Sequence, residues 1–480
     1  MSTHSIQQLP PQFQEILTLT GNLADQIGQP AYVIGGFVRD FYLNRLTLKD
    51  QPDIDIVTVG AGITLAEKVS EQLEGSHLSV FKRFGTAQVK YQNMELEFVG
   101  ARKESYSRNS RKPVVEDGTL EDDQLRRDFT INALSWSLNS DNFGELLDPF
   151  NGMDDMDNKI IRTPVDPLQT FSDDPLRMLR AVRFASQLQF DIAPETTEAI
   201  TEMAHRIEII SKERIITEVN KIVLSPEPSY GFALLFQLGL LEQFFPEMVR
   251  LHGVKKKNGI THKDNFWHTL KVLDNVAKYS DDLWLRWAAI LHDIAKPPTQ
   301  RFDEKAGWTF HGHEALGAKW TKSIFRRLGL PLDDRMRYVR KLVRLHLRPI
   351  ALVDEIVTDS AIRRLIFEAG DDIDDLMLLC RADITSKNVQ KRNRYLKNFD
   401  MVEEKIKEVE EKDKLRNWEP PVGGTEIMEA FGLKPSRLIG DIKHDIEEAI
   451  LNGKIPNEHD AAYEFMLSLA DKYDLTVKKD

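Results

Sequence analysis

The sequence predicts an α+β protein, with a mixed α/β segment first and a long, mostly helical remainder after it. Three observations lead there. Short apolar runs bounded by turn residues recur at 31–35, 53–59, 78–81, 85–91 and 94–100, the lengths and spacing of strands. Helical patterns near 37–45 and 62–74 lie between them, so the first ~140 residues read as one α/β domain. From about residue 226 the apolar positions follow helical periodicity instead. At 480 residues the chain has room for more than one domain.

Bulk composition excludes several classes. Hydrophobic residues make up 41% and charged residues 29%, as in an ordinary globular protein. No apolar run reaches the ~18 residues that a membrane helix needs. The N-terminus lacks the basic and apolar regions of a signal peptide. The single Cys380 excludes an intrachain disulfide and agrees with a reducing cytoplasm, so a cytoplasmic location is expected. A net charge of −12 argues against a broad non-specific nucleic-acid binder, but leaves room for a local basic groove.

Residues 7–27 carry Leu9, Phe13, Ile16, Leu17 and Leu23 on one side of a predicted amphipathic helix. Tyr32-Val33-Ile34 then runs into Gly35-Gly36-Phe37-Val38-Arg39-Asp40, a buried strand ending in a bare backbone turn. Asp53 and Asp55 flank Ile54, and on a strand residues i and i+2 face the same way. Two carboxylates on one face suit magnesium, and bare glycine N–H groups suit triphosphate oxygens. Taken alone, these features are equally a turn and a solvated strand end. Met94–Val99 alternates, which puts Glu95 and Glu97 on one face; Glu97 is the preferred third carboxylate. The loop before Asp53 includes Lys49 and Asp50.

Residues 101–124 are polar, with almost no apolar periodicity, and are expected to form a mobile loop. Arg102, Lys103, Arg108, Arg111 and Lys112 in it could meet phosphates. Arg126-Arg127-Asp128 precedes an apolar segment. Arginine suits bidentate phosphate contact, while Asp128 suits a helix cap as well as a ligand. Asp148-Pro149-Phe150-Asn151-Gly152 is a turn and a natural domain end. A helix is predicted from Pro175 through Phe184, with Arg177, Arg180 and Arg183 gathered near one face. Asp174 and Arg177 could pair there and offer hydrogen-bonding edges to a planar base.

Twelve histidines are spread over the chain, and seven fall between 252 and 346. His292-Asp293 is expected within an apolar helix, Ala288–Asp293, and a polar pair there is costly unless it has a partner. Imidazole with carboxylate suits a transition metal. The basic run over 322–348 could track an RNA backbone, or equally form the solvated face of two helices. Lys387, Lys391, Arg392 and Arg394 form a further basic cluster. Residues 401–416 are charged and helix-prone, Pro420-Pro421-Val422-Gly423-Gly424 breaks the chain, and a small helical tail follows.

The Gly-Gly-Phe-Val-Arg-Asp turn, Asp53-Ile54-Asp55, Arg126–Leu134 and Asp173–Phe184, in this order and spacing, resemble the class II tRNA nucleotidyltransferases (CCA-adding enzymes) and poly(A) polymerases. Asp173 stands where glutamate is commoner in that family. The ordered His268, His292-Asp293, His313, His346 and Asp383 resemble the HD phosphohydrolase domain, with Lys296 shortly after the His-Asp pair. The resemblance implies a nucleotidyltransferase head over 1–150, a helical neck over 151–225, an HD domain over 226–400 and a tail over 401–480. It implies Gly35, Gly36 and Arg39 at a triphosphate, Mg2+ on Asp53 and Asp55, and Arg127 and Asp128 at the sugar. Asp174 and Arg177 would read the base, with Arg180 beside them. In the HD domain it implies one divalent transition metal on His268, His292, Asp293 and Asp383, and a second site completed by His313 and His346. Nickel, manganese, iron and cobalt all suit such ligands. The implied activity is untemplated addition of CMP and AMP, from CTP and ATP, to the 3′ end of tRNA, with phosphohydrolysis in the HD domain. The runner-up adds only A, only C or poly(A). The rival of another class is an HD phosphohydrolase whose head only binds RNA.

Overall fold

Pro11 opens the first helix, Pro11–Gln26, where its missing N–H costs nothing. The helix buries Phe13, Ile16, Leu17 and Leu23, the face expected from the sequence. The computed structural model describes residues 6–46, 53–105, 114–354, 358–386, 388–413 and 418–478. Lys49, Asp50, Arg108, Arg111, Lys112 and Lys387 lie outside the described residues. The chain divides into two units, Met1–Phe244 and Phe245–Asp480.

The first unit is built on one sheet. Its strands are β1 (Ala31–Ile34), β2 (Asp53–Thr58), β3 (His77–Phe81), β4 (Thr86–Tyr91), β5 (Met94–Gly100), then, after a hairpin of β6 (Arg102–Ser105) and β7 (Val114–Asp117), β8 (Ser135–Ser137) and β9 (Leu146–Leu147). The spatial order is β3-β4-β5-β2-β1-β8-β9. All five strands expected from the sequence are present. β2 and β5 are the only parallel neighbours described in this sheet, and their register sets Asp53 opposite Glu95 and Asp55 opposite Glu97. Ile54, Ile56, Leu96 and Phe98 bury the other face. That alternation is what forces four carboxylates to one side.

The segment 101–124 differs from the expected loop. Its described parts form the β6–β7 hairpin and a Leu120–Leu125 helix. Thr119 and Asp122 make a reciprocal capping box there, a local device that apolar periodicity does not register. Beyond the sheet the unit is helical. Leu176–Leu188 packs against Lys212–Val223, with Val182 and Val219 fully buried and Arg183 paired with Glu218 across the two helices.

The second unit is mostly helical, with two short hairpins, Lys256–Lys257 with Ile260–Thr261 and Arg301–Asp303 with Gly307–Thr309, that the sequence reading did not anticipate. The helix preceding His292 ends at Leu291, so His292 and Asp293 stand in the turn just after it. Pro297 and Pro298, close downstream, cannot continue that helix. After a 25-residue helix, Val389–Asp413, the three tail helices close on Val422, Ile427, Ile442, Ile446, Ala462 and Met466. No described helix is long and apolar enough to cross a membrane.

Candidate functional site

In the first unit a cleft of about 360 Å³ opens where β2 and β5 meet the Leu176–Leu188 helix. That is within the usual range for a small-molecule site. Asp55, Glu97, Arg127, Asp128, Asp174, Arg177 and Arg180, all named from the sequence, line it. The turn at Gly35 borders it. Gly35 has φ +85°, and a Cβ there would lie 2.8 Å from Arg127 Nη1 and 3.3 Å from Asp55 Oδ2. Gly35→Ala is therefore expected to cost about 1–3 kcal/mol in backbone strain and to push Arg127 off Asp55. Urea unfolding and the nucleoside triphosphate KM, which should rise, are the measurements.

One wall is acidic. Burial, opposed by Arg127 and reinforced by Asp53 and Asp123, raises the Asp55 carboxyl above its ordinary value. Burial and then Asp55 and Asp53 raise Glu97 in the same way. Carboxylates that discourage one another's ionisation are a donor set that a divalent cation would relieve. Their oxygens do not converge to within 4.8 Å as a ready-made cluster among the described residues, and Asp53 is exposed.

The other wall is basic and tied down. Arg127 reaches both Asp123 (3.3 Å) and Asp55 (3.7 Å). Arg126 also pairs with Asp123. Arg180 Nε donates to Asp128 Oδ2 at 2.6 Å, and the Asn132 amide donates to Asp128 Oδ1 at 3.0 Å. Burial raises the Asp128 carboxyl, but Arg180, Asn132 and Arg177 outweigh it and hold it at about 2. A carboxyl depressed below its unfolded value stabilises the fold above ~3.8 and loses that contribution as pH falls toward 2, about 2 kcal/mol in all. Asp128→Asn should cost about 1–2 kcal/mol, because half-buried Arg180 loses its anion while solvent screens part of its charge. A urea midpoint series from pH 7 to pH 2 checks both, and the wild-type and variant curves should converge at the acid end.

Two expected contacts are arranged differently. Asp174 and Arg177 do not pair through their side chains. Asp174 Oδ2 accepts from Arg214 Nη2 (2.9 Å), and Arg177 Nη2 donates to the Arg126 carbonyl (2.5 Å). Arg214 lies one turn into the helix that packs on the arginine-bearing helix, so only the tertiary fold brings it to Asp174. Arg39 is buried and does not line the cleft. It pairs with Asp40 at 2.9 Å and donates to Asn132 Oδ1 at 2.6 Å, which links the glycine turn to the Asp128 segment. Arg183 is likewise internal, 3.2 Å from Glu218. Sequence reasoning gave no role to Thr86 or Asp123. Asp123 is fully buried between two arginines, a position that spacing alone does not reveal.

The second unit gathers His268, His292, Asp293, His313, His346 and Asp383 at one point. Their donor atoms form two groups, His268–His292–Asp383 and Asp293–His313–His346, each within 4.8 Å. Asp293 stands between the groups and faces both, an arrangement compatible with the expected site on His268, His292, Asp293 and Asp383 and a second completed by His313 and His346. Its Oδ2 lies 3.5 Å from His268 Nε2 and 3.3 Å from His292 Nε2, and its Oδ1 lies 3.2 Å from His313 Nε2. Lys296 Nζ is 2.6 Å from Asp293 Oδ2. The Nδ1 atoms of His292, His313 and His346 each sit 2.7 Å from a backbone carbonyl, of Ala289, Phe310 and Val343. Donating Nδ1–H fixes the tautomer that leaves Nε2 as a lone pair for a metal. His292 Nε2 is buried without a hydrogen-bond partner. Burial, and His292 after it, pulls His346 down to about 3, so its ring is neutral at pH 7. The donor set fits divalent cations. A cleft of about 420 Å³, lined by Lys263, Lys296, Phe310, Tyr395 and Phe399 as well as His268 and Asp383, leads to it. His262 also lines this cleft, while His311 is exposed.

Residues 31–162 match the poly A polymerase head domain, 189–251 the probable RNA- and SrmB-binding site of polymerase A, and 265–388 the HD domain. The A-adding tRNA nucleotidyltransferase of Deinococcus radiodurans is 31% identical over 355 residues, 71% of this chain and 78% of the relative. The chain belongs to the tRNA nucleotidyltransferase and poly(A) polymerase family. It is a nucleotidyltransferase that carries an HD domain. A multifunctional CCA protein of Shewanella frigidimarina is also 31% identical, over 76% of this chain and 86% of its own. Among solved structures, the Bacillus stearothermophilus CCA-adding enzyme in complex with CTP superposes with a TM-score of 0.66 at 25% identity, covering 97% of this chain and 99% of that one. The Thermotoga maritima CCA-adding enzyme complexed with tRNA superposes at 0.61 and 22%, covering 97% of each, a likeness of fold.

Proposed function

We propose that this nucleotidyltransferase adds CMP and AMP to the 3′ end of tRNA without a nucleic-acid template. One observation carries the reading. A single cleft places the carboxylates of β2 and β5 opposite Arg127, Asp128, Asp174, Arg177 and Arg180. In the reaction the RNA 3′ oxygen forms a bond to the α-phosphorus, the bond from that phosphorus to the β-phosphate oxygen breaks, and pyrophosphate leaves. Gly36, at the start of its helix, offers a backbone N–H to the triphosphate, while Gly35, whose own N–H donates to the Leu134 carbonyl at 3.0 Å, leaves room for its approach, and Arg127 meets its negative charge. Asp128, locked by Arg180 and Asn132, holds the sugar side of the cleft. Asp174 and Arg177 exchange their present contacts for the edge of cytosine or adenine, for which they supply an acceptor and donors. Mg2+ held by Asp53, Asp55 and Glu97 would supply charge neutralisation at the reacting phosphate. On this reading 1–150 is the head, 151–225 the neck, 226–400 the HD domain and 401–480 the tail.

The test offers a tRNA lacking its 3′ CCA with CTP and ATP, separately and together. Extension by C with CTP alone and by CCA with both is expected. Incorporation of ATP onto the bare end, with no use of CTP, would overturn the reading in favour of an A-adding or poly(A) enzyme.

A second activity is favoured by the two three-residue clusters around Asp293. The HD domain hydrolyses a phosphoester, with a divalent transition metal at one or both clusters supplying polarisation of the phosphoryl group. Lys296 and Lys263 then face the substrate's negative charge from the cleft wall.

A further inference from the structure

We propose that the helical pair His313–Leu328 and Asp334–Leu345 forms a groove that binds the phosphodiester backbone of RNA. The two helices pack on one another and enclose a groove of about 760 Å³. Of its ten lining residues seven are lysine or arginine and one, Glu368, is acidic. In a chain of net charge −12 this is a strong local reversal of sign. The sequence left this basic run undecided between an RNA track and a solvated face. A solvated face spreads its charges outward, whereas these converge on one concavity from two helices.

The placement follows from helical spacing. Lys319 and Lys322 lie one turn apart on the first helix. Arg337, Arg340, Lys341 and Arg344 lie at i, i+3, i+4 and i+7 on the second, so they share a face over ~10 Å of helix. The opposite face, with Met336, Val339, Leu342 and Val343, is buried and fixes the orientation. Arg344 pairs with Glu314 at 3.1 Å and Lys341 with Asp372 at 2.5 Å, contacts that hold those heads in place. Lys319, Lys322 and Arg340 are exposed and make no ion pair with a described residue. Arg337 and Arg348 are paired as well, with Asp334 and Glu368, so three unneutralised cations remain, two on the first helix and one on the second, and cations facing one another across a groove attract a chain of phosphates more than a single anion. The same two helices carry His313 at one start and His346 just past the other end, so the groove lies along the elements that build the metal centre.

The proposal rests on tRNA being the substrate of this enzyme, and the test separates the two ideas. The full-length protein carrying Lys319→Gln, Lys322→Gln and Arg340→Gln is compared with wild type and with a control carrying Lys271→Gln, Lys278→Gln and Lys305→Gln. The control removes the same charge from exposed positions outside the groove. The Kd for tRNA lacking CCA is measured between 50 and 200 mM salt, approximately the range over which phosphate contacts are lost. The groove variant should bind at least about tenfold more weakly at the low-salt end, and its log Kd against log salt slope should be smaller by about 2–3. The control should keep the wild-type slope. Nucleotide addition to a minihelix of the acceptor stem, with saturating RNA, should have the same kcat in all three proteins. Equal slopes for groove variant and wild type would overturn the groove as an RNA site while leaving the nucleotidyltransferase reading intact. A wild type that extends neither RNA would instead overturn the functional reading.

Discussion

Replacing Asp53 and Asp55 together by alanine is expected to lower nucleotide addition by about 10³-fold or more, with tRNA binding and HD-domain hydrolysis unchanged. The argument is geometric. The parallel register of β2 and β5 holds Asp55 beside Glu97 and Asp53 beside Glu95, all on the face away from the sheet core. Asp55 is the member inside the cleft, 3.7 Å from Arg127, and it shares its field with Glu97. Removing both aspartates leaves Glu97 as the one remaining acid in the cleft wall on that strand pair. A site that must neutralise a triphosphate then lacks most of its cation-binding charge, a loss of several kcal/mol at the transition state, where each 1.4 kcal/mol is about tenfold. Asp53 is exposed and Asp55 partly so, so the fold should survive; the unfolding midpoint checks that. Addition at near wild-type kcat in the double variant would sink the assignment. The single variants grade it, since Asp55, inside the cleft, should matter more than Asp53.

Much of this site was legible in the sequence because strand alternation is a local rule. Ile54 between two aspartates fixed which side they take, and Met94–Val99 fixed the side of Glu97. The ordered motifs then brought Arg127, Asp128, Asp174 and Arg177 to one place. What stayed hidden was who holds whom. Arg39 looked like a phosphate ligand beside the glycines, yet it turns inward to Asp40 and Asn132. Asp174 and Arg177 looked like a pair at i, i+3, yet each has a partner from another segment, Arg214 and the Arg126 carbonyl. Those partners lie 40 and 51 residues away, beyond any periodicity argument. The β6–β7 hairpin was missed for a related reason. Arg102–Ser105 is polar, and in Val114–Asp117 the two valines stand side by side, so neither shows the apolar alternation by which a half-buried strand is recognised. In the HD domain the six candidate ligands were readable as residue types, but the position of Asp293 between them was not, because only the tertiary fold turns its two oxygens in two directions.

That bridging position makes Asp293→Asn the most informative change in the second unit. The amide keeps the volume but has no net charge to offer either cluster. Bound metal in the purified protein should fall from both groups together, whereas His268→Ala should deplete one group and His313→Ala the other. Hydrolysis of 2′,3′-cyclic AMP or p-nitrophenyl phosphate should drop by at least about 10²-fold, since loss of the charge that orients a metal and its surrounding ligands removes several kcal/mol. Nucleotide addition should stay within about twofold of wild type, because the head's carboxylates and arginines lie wholly within the first unit. A stability control is needed, as Lys296 sits 2.6 Å from Asp293 and loses its anion in the variant. The double change Asp293→Asn with Lys296→Met removes that unpaired charge and should recover the melting temperature without recovering hydrolysis or metal. The rival reading, a phosphohydrolase whose head only binds RNA, makes the opposite forecast for the two experiments. It requires that Asp293→Asn abolish the principal activity and that the Asp53/Asp55 variant retain it. Metal retained at wild-type stoichiometry in Asp293→Asn would instead remove Asp293 from the ligand set, whereas wild-type protein that takes up no divalent metal would leave His292 and His346 as buried histidines with a structural role.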